Sequence, residues 1–490
     1  VTDGSRRLED EYDALAFPNA PQLKTHPDNM ATLAALFGVA APPIEHCRVL
    51  ELGCGSGDNL LAMAMNMPVS HYVGVDLSRV HLDRGRDVAK RLGLRNIQFE
   101  HADITTLDPD KLGTFDYIIC HGVFSWVPPD VQDAILWLAG ETLSPNGVFY
   151  LSYNAYPGWH LLNMLRQMLL HDAPPNASPQ ERVRRARNTL GILRAAASLP
   201  YNSVGAALGE KMSHLQSQSD GYLFHEYLTE HNEGFWFEEV VRRAGQHGMQ
   251  YLANAVPETM EASNFGHAIA NAVAACPDRV SAQQRLNMAL GTPFNSTLFC
   301  RAEHDVRRTF AATTIESLYY DGWLHPDPSE GDVHESEHVT VTSSTGIAAK
   351  VTGADLRTAL GVLARARPCN VHFDVIYDAV KQSVPGDGRS DEVRRRELSL
   401  QLVRLYFGAV IGISTHAPPL TADVSDHPIA SPLARLQASE QGWVTSQWHM
   451  RVLLTAPQRD LLARLDGGYA PLPRERDILE FLGQQALLVG

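Results

Sequence analysis

The run Arg48-Val49-Leu50-Glu51-Leu52-Gly53-Cys54-Gly55-Ser56-Gly57-Asp58-Asn59 decides how the rest of the chain is read. An apolar stretch, Val49 to Leu52, ends at three glycines at alternate positions, and Leu60-Leu61-Ala62 follow with helical character. The reading is strand, glycine turn, helix, because a backbone that turns with positive φ and lets a ligand approach closely has no room for a Cβ. A second apolar run, His71 to Asp76, closes on a carboxylate 23 residues after Gly53. That is about the interval at which a Rossmann-type unit sets its ribose-gripping acid. The two pieces frame a nucleoside pocket. A dinucleotide site would present G-x-G-x-x-G with a helix N-terminus facing a pyrophosphate. This turn is instead Glu-x-Gly-x-Gly-x-Gly with Glu51 and Asp58 beside the ligand, which repels a diphosphate and suits an amine and a sulfonium.

The chain has 490 residues, too many for one ordinary core, so two or three domains are expected. Charged residues at 20% and apolar residues at 44% describe a soluble globular protein. No apolar run is long enough to span a bilayer, since even Leu402 to Ile413 is broken by Arg404, and the polar opening VTDGSRRLEDEYD carries no signal-peptide pattern. Six cysteines without a C-x-x-C spacing read as reduced, cytoplasmic thiols. The net charge of -15 argues against a nucleic-acid substrate. The arginines at 182, 184, 185, 187 and 194 read as a solvated helix face rather than a polyanion site.

Downstream of the glycine turn the text alternates β and α. A helix is expected over Asn59–Met67, strands over Tyr72–Asp76, Ile97–Glu100, Tyr117–Cys120 and, after an Asn146-Gly147 turn, Val148–Tyr153; Ser78 caps a helix that Gly93 stops. Near-continuous apolar strands of this kind form a parallel sheet covered on both faces, with ligands beyond its carboxyl edge. Residues 161–230 offer only helical text, so the last strands of the sheet are sought later, at Met249–Ala253 and Thr297–Arg301. Residues 161–230 and 255–292 then become insertions over the substrate mouth. Upstream, Thr25 or Asp28 caps a helix stopped by Gly38, and Tyr12 and His26 are candidate lid contacts. Asp355–Ala366, Phe373–Lys381, Glu397–Tyr406 and Ala409–Ile413 have the helix-helix-helix-strand order of a winged-helix-like module. In an acidic chain such a module suits protein recognition or dimer packing. Neighbouring helix residues diverge by about a quarter-turn, which favours a structural hydrogen-bonding role for His225-Glu226 over a base and its orienter. The HESEH stretch, His334 to His338, lies in an acidic, glycine-flanked segment, and no metal is expected there.

ELGCGSGDN followed by VGVDLS resembles the signature of class I S-adenosylmethionine-dependent methyltransferases. The segments FPNAPQLKTHPDNMATLAALFG, RVLELGCGSGDN, HYVGVDLS, FDYIICHGVFSWVP, LSPNGVFYLSYNAYPGWH and YLFHEYLTEHNEGFWFEEV together resemble one bacterial family. These are class I methyltransferases with a methyltransferase regulatory domain, whose best-described members are rickettsial protein-lysine methyltransferases acting on outer membrane protein B. The resemblance implies an α/β, Rossmann-like class I sheet with helical insertions and a separate C-terminal α+β, winged-helix-like domain. The division is 1–44 arm or lid, 45–160 cofactor core, 161–305 regulatory helical region contributing the last core strands, and 306–490 C-terminal domain. The resemblance also implies S-adenosyl-L-methionine (AdoMet) as donor, a homodimer, and a lysine in a protein or peptide as acceptor.

On that footing Glu51, Gly53, Gly55, Gly57, Asn59, Asp76, Leu77, Ala102, Asp103, Ile104, His121 and Tyr12 are expected around the cofactor. Methyl transfer is an in-line displacement that needs donor and acceptor in near-attack geometry. A lysine amine is almost wholly protonated at neutral pH, a deficit of roughly 4 to 5 kcal/mol that desolvation or a base must make up. His121, Tyr153 and Tyr156 are the candidates for that task, with Trp126 and Trp159 shaping the channel. Two alternatives stay open: a small-molecule or peptide natural-product N- or O-methyltransferase, and a non-catalytic AdoMet-responsive regulator.

Overall fold

Five parallel strands set the frame of the computed structural model, which describes residues 13, 15, 19–307, 309–326, 338–343, 346–386, 388–421 and 424–489. They are β1 (Arg48–Leu52), β2 (His71–Asp76), β3 (Ile97–His101), β4 (Phe115–Cys120) and β5 (Leu143–Ala155), in the spatial order β3-β2-β1-β4-β5. A two-residue β6 (Gly234–Phe235) pairs parallel with the end of β5. β7 (Met249–Asn254) and β8 (Phe294–Arg301) are the two late strands expected from the sequence. β8 runs antiparallel to β5, and β7 pairs antiparallel with β8 and so runs in the direction of the parallel strands, closing the sheet as β3-β2-β1-β4-β5-β8-β7. The expected Asn146-Gly147 turn lies inside β5: the strand runs through it, the register against β4 slips between Phe115 and Tyr117, and only Pro145 and Asn146 face solvent.

The central strands bury alternate residues on opposite faces, which is the period-two geometry of a strand. In β4, Tyr117 and Ile119 enter one apolar cluster while Ile118 and Cys120 enter the other. In β5, Tyr150 belongs to the first face, and Phe149, Leu151 and Tyr153 to the second. Helices Pro129–Thr142 and Phe237–Gly245 cover the second face through Ile135, Leu136, Val240 and Ala244. The first face is covered by helix Asp58–Asn66 and by an arm helix, Pro27–Leu36, whose Met30, Leu33, Ala34 and Leu36 are almost wholly buried. The imidazole of His26 caps the arm helix, its Nδ1 accepting from the Asp28 amide at 3.2 Å, so neither Thr25 nor Asp28 is the cap. The Thr25 hydroxyl is instead 3.0 Å from the Asn59 amide nitrogen.

Helices Gly158–Asp172, Pro179–Ala196, Ser203–Ser217 and Asp220–Tyr227 form the first insertion, with their own cluster around Leu165, Leu169, Leu190, Leu208, Met212 and Phe224. Each such leucine contributes roughly 1.5–3 kcal/mol on burial. Most of the arginine-rich face is satisfied within the chain: Arg184 and Arg185 pair with Glu181, Arg187 with Asp220, and Arg182 donates to the Leu228 carbonyl. Farther on, helices Ala354–Ala366, Phe373–Ser383 and Asp391–Phe407 surround a small antiparallel sheet of Val371–His372, Tyr319–Asp321 and Gly412–Ser414. That module shares one apolar cluster with the arm helix. A last unit, with helix Pro432–Glu440, a hairpin of Trp443–Thr445 and Arg451–Leu453, and helices Ala456–Leu462 and Arg476–Gln484, has a cluster of its own. Among the described residues no helix is long and apolar enough to cross a membrane. All six cysteines are free thiols. The expected lid residue Tyr12 and most of the HESEH stretch lie outside the described residues.

Candidate functional site

A cavity of about 890 Å³ opens at the carboxyl edge of the parallel strands. Its first half is built by the loops after β1, β2 and β3. Glu51, Gly53, Gly55, Asn59, Asp76, Leu77, Ala102, Asp103 and Ile104 all line it. Gly57 does not line it; it caps helix Asp58–Asn66 from a left-handed conformation with φ 71°. Asp58, expected beside the ligand, sits on that first helical turn and does not reach the cavity wall. At Gly53, φ is 73° and a Cβ would come within 2.3 Å of a Val123 methyl, so sterics and backbone angle both demand glycine. Asp76 holds the turn in shape: its Oδ2 accepts from the Gly55 amide at 2.7 Å and its Oδ1 from the Ser78 amide at 2.8 Å.

The donor set fits the amine and ribose of AdoMet. Glu51 is 5% exposed; its Oε1 accepts from the Asn59 side chain at 2.9 Å, while its Oε2 is buried with no partner among the described residues. Burial pushes its carboxyl up to about 8, helped by Asp76 and opposed by the Asn59 hydrogen bond. An ammonium placed against that free oxygen supplies the missing partner and restores the charge. Asn59 is shared among four residues from β1, the arm and the last unit. Besides Glu51 and Thr25, its Oδ1 accepts from the Gln22 amide at 3.1 Å and stands 2.6 Å from Nε2 of His449, 390 positions away in the last unit. Arm residues also reach both walls: Asn19 Nδ2 donates to Ser56 Oγ at 3.3 Å, and the Leu15 carbonyl is 2.6 Å from His225 Nε2.

The second half of the cavity is lined by His121, Trp126, Asp130, Tyr222, His225, Glu226, Glu230, His231 and Phe294. His121 is held through Nδ1, which is 3.0 Å from both Tyr150 Oη and Ser152 Oγ, and Phe294 meets its ring edge-on. Desolvation, with Lys24 nearby, lowers its pKa to about 3, so the ring is neutral across the physiological range. Glu226 lies in the last turn of helix Asp220–Tyr227, and burial raises its carboxyl to about 7, against a smaller opposing pull from Lys211. The loop after that helix is tied down at its carbonyls. Arg166 donates to Thr229 and Glu230 at 2.6 and 3.2 Å, Arg182 donates to Leu228, and Asn232 donates to Glu226 at 2.6 Å while accepting from Asn154 at 2.8 Å. Guanidinium groups at a helix C-terminus offset its negative end.

Three of the side chains expected at the methyl group lie elsewhere. Tyr153 is fully buried on the opposite face of β5 from Tyr150 and Ser152, its hydroxyl 3.1 Å from Thr297 Oγ1. Tyr156 stacks on His160 at 3.9 Å, and Trp159 packs against Gly234 of β6, where a Cβ would fall 2.6 Å from the indole. His26 lines a different cavity. The second insertion, 255–292, gives no residue to this one. Sequence reasoning misses Tyr150, Ser152 and Glu230 and reads Glu226 as structural; for Tyr150 and Ser152 one signal is usable. Strand alternation pairs positions 150 and 152, not 153, with a neighbour on one face.

A mixed sheet whose seven-strand path runs in this order, with a glycine turn, an acid closing β2 and an orphaned carboxylate oxygen, defines a class I S-adenosylmethionine-dependent methyltransferase. Residues 49–147 match the family described as a methyltransferase domain, residues 219–301 the "Predicted methyltransferase regulatory domain", and residues 426–479 the "PKMT, C-terminal winged helix domain". The chain belongs to the family of class I methyltransferases that carry this regulatory domain, together with Rickettsia prowazekii protein RP028, 33% identical over 48% of this chain and 93% of that protein. Rickettsia prowazekii protein RP789 is 37% identical over 63% of this chain, and the chain spans about half of its length, 55%. The solved structure of PKMT2 from Rickettsia typhi, also known in complex with AdoHcy, has a TM-score of 0.85 at 24% identity, covering 97% of this chain and 100% of that one. It shares the fold. The winged-helix match falls on the last unit, not on the Asp355–Ile413 run that the sequence pattern suggested; the helices of that run are wrapped around a separate small sheet instead.

Proposed function

We propose that the chain transfers the methyl group of AdoMet to lysine side chains of a protein or peptide. One observation carries the reading: the glycine-turn half of the cavity is continuous with a second half that is acidic and aromatic, with Asp130, Glu226 and Glu230 beside Trp126 and Tyr222. Carboxylates draw in an ammonium, and tryptophan faces wall its alkyl stem. Bound AdoMet supplies an electrophilic methyl on a sulfonium. Glu51 would hold the amino end of the cofactor, Asp76 its ribose, and Asp103 with Ala102 and Ile104 its adenine side.

The remaining task is the lysine proton. His121 at about 3 is too weak a base for an ammonium, and its role is to present a neutral wall fixed by Tyr150 and Ser152. Glu226 at about 7 is matched to the task at neutral pH, accepting the proton as the amine loses water. The same reading carries a homodimer and a cytoplasmic location. Incubation with methyl-labelled AdoMet and a lysate tests it: label on protein lysines supports it, label on a small molecule supports a natural-product methyltransferase, and no label with intact AdoHcy binding supports a regulator. Light scattering of the purified chain tests the dimer.

A further inference from the structure

A second cavity, of about 840 Å³, lies where the arm helix, the 319–414 module and the last unit meet. Its size is within the range of small-molecule sites. It is lined by three carboxylates, Asp28, Glu258 and Asp321, and none of the three has an ion-pair partner among the described residues. Asp28 is engaged by the Thr415 amide and hydroxyl at 2.8 and 2.6 Å, whereas the Asp321 carboxylate has, among the described residues, only a long contact, 3.5 Å, from Asn370. Burial raises all three carboxyls, Asp28 and Asp321 to about 6. Lys24 is the one lysine or arginine among the lining residues, and its ammonium lies over the Phe294 ring at 5.0 Å.

Acidity alone would not define a site, but the walls also hold polar atoms with nothing to bond. Among the described residues, Tyr406, 6% exposed, has no partner for its hydroxyl, His449, 1% exposed, has none for its Nδ1, and Trp448 Nε1 and Asn370 Oδ1 are likewise buried and unpaired. Leaving such atoms unmet costs about 1–3 kcal/mol each, so four around one cavity point to something that meets them. Trp323 and Trp448 pack 5.0 Å apart at 60°, and Trp323 already carries the Arg367 guanidinium 3.7 Å from its ring, so this indole pair is suited to a cation.

We infer that this cavity is a second ligand site for a small organic ammonium carrying a hydrogen-bond acceptor, and that its occupancy reaches the cofactor half of the first cavity through His449. The ammonium faces Asp321 and Glu258, and the acceptor meets the Tyr406 hydroxyl and the Trp448 N–H. His449 joins the two cavities: it lines this one, its Nδ1 is buried with no partner among the described residues, and its Nε2 is 2.6 Å from Asn59, which lines the other and holds Glu51. Its backbone sits at φ 58°, a conformation rare for a side chain of this size and retained where the surroundings fix it.

Calorimetry on the full chain saturated with AdoHcy tests the site with three probes: Nα-acetyl-lysine methylamide, its Nε-trimethyl form, and the uncharged norleucine isostere. The expected result is that a charged probe binds, norleucine binds at least about tenfold more weakly, and Asp321→Asn costs the charged probe at least about tenfold, a change of about 1.4 kcal/mol. Tyr406→Phe should weaken it several-fold, and Glu226→Gln should leave it unchanged. Melting temperatures and AdoHcy affinity without probe confirm that each variant folds. In the unsaturated wild-type chain the charged probe should shift AdoHcy affinity at least about threefold, and His449→Gln should abolish the shift. No heat from either charged probe, equal binding of norleucine, or a loss that follows Glu226→Gln instead of Asp321→Asn overturns the site. An AdoHcy affinity indifferent to the probe overturns the coupling. Neither readout requires turnover, so each is independent of whether lysine is the methyl acceptor.

Discussion

The two halves of the AdoMet cavity are made in different ways. The cofactor half comes mostly from a short stretch of chain, β1 to the loop after β3, where most ligand-facing residues lie at or just beyond a strand end and Asn59 opens the helix after β1. The acceptor half is collected from residues 121–131, 218–231 and 294, held together by buried arginines and asparagines. A local motif can be carried from protein to protein, while a collected wall can be changed piece by piece. This contrast suits an enzyme whose donor is constant and whose acceptor is particular.

Several substitutions separate the halves. The largest effect is expected from Glu226→Gln, which should lower kcat by about a hundredfold or more while AdoHcy affinity, by calorimetry, stays within about twofold. With Glu226 titrating at about 7 and acting as the proposed base, the wild-type rate should fall as pH drops below 7, because the protonated carboxyl cannot accept the proton of the proposed lysine acceptor; that limb should disappear in the variant. Asp76→Ala should weaken AdoHcy by roughly thirtyfold, since it removes the proposed ribose acceptor and frees the Gly55 amide, at about 1–2 kcal/mol for each hydrogen bond. An equal loss of kcat at saturating AdoMet would dissolve the distinction.

Subtler is the proton on Glu51. Its carboxyl titrates at about 8 and is mostly protonated at pH 7, and in the unliganded chain this raised value means that stability falls as pH rises from the ordinary carboxylate range to about 8. A bound ammonium favours the ionised form. AdoHcy binding at pH 7 should therefore release a proton, seen as a buffer-dependent heat, and affinity should rise with pH up to about 8; Glu51→Gln should abolish both. The smallest change is expected from Tyr153→Phe. It should cost about 1 kcal/mol of stability in a denaturant melt and leave single-turnover rates alone, because the hydroxyl serves Thr297 in the core.

The same contrast explains what the sequence discloses. The glycine turn, Asp76, the five parallel strands and even the two displaced strands are readable, because strand text and turn chemistry are local. Tyr153 misleads because one step along β5 turns a side chain to the other face; position 152, not 153, shares a face with His121. Glu226 is underrated because a quarter-turn from His225 settles only what those two residues do to each other. The wall that Glu226 faces is assembled by Trp126 and Phe294, more than sixty positions away in either direction. Nothing local marks His449 as a neighbour of Asn59.

The segment matched to the regulatory domain, 219–301, contains β6, β7 and β8. Two of these complete the main sheet, so cutting the chain after residue 160 would leave β5 as a bare, apolar edge thirteen residues long. Such a fragment would stick to its own kind before it met a substrate. Gene fusions and truncations that treat catalysis and regulation as exchangeable parts should fail here, and lineages of this architecture are expected to gain or lose both together.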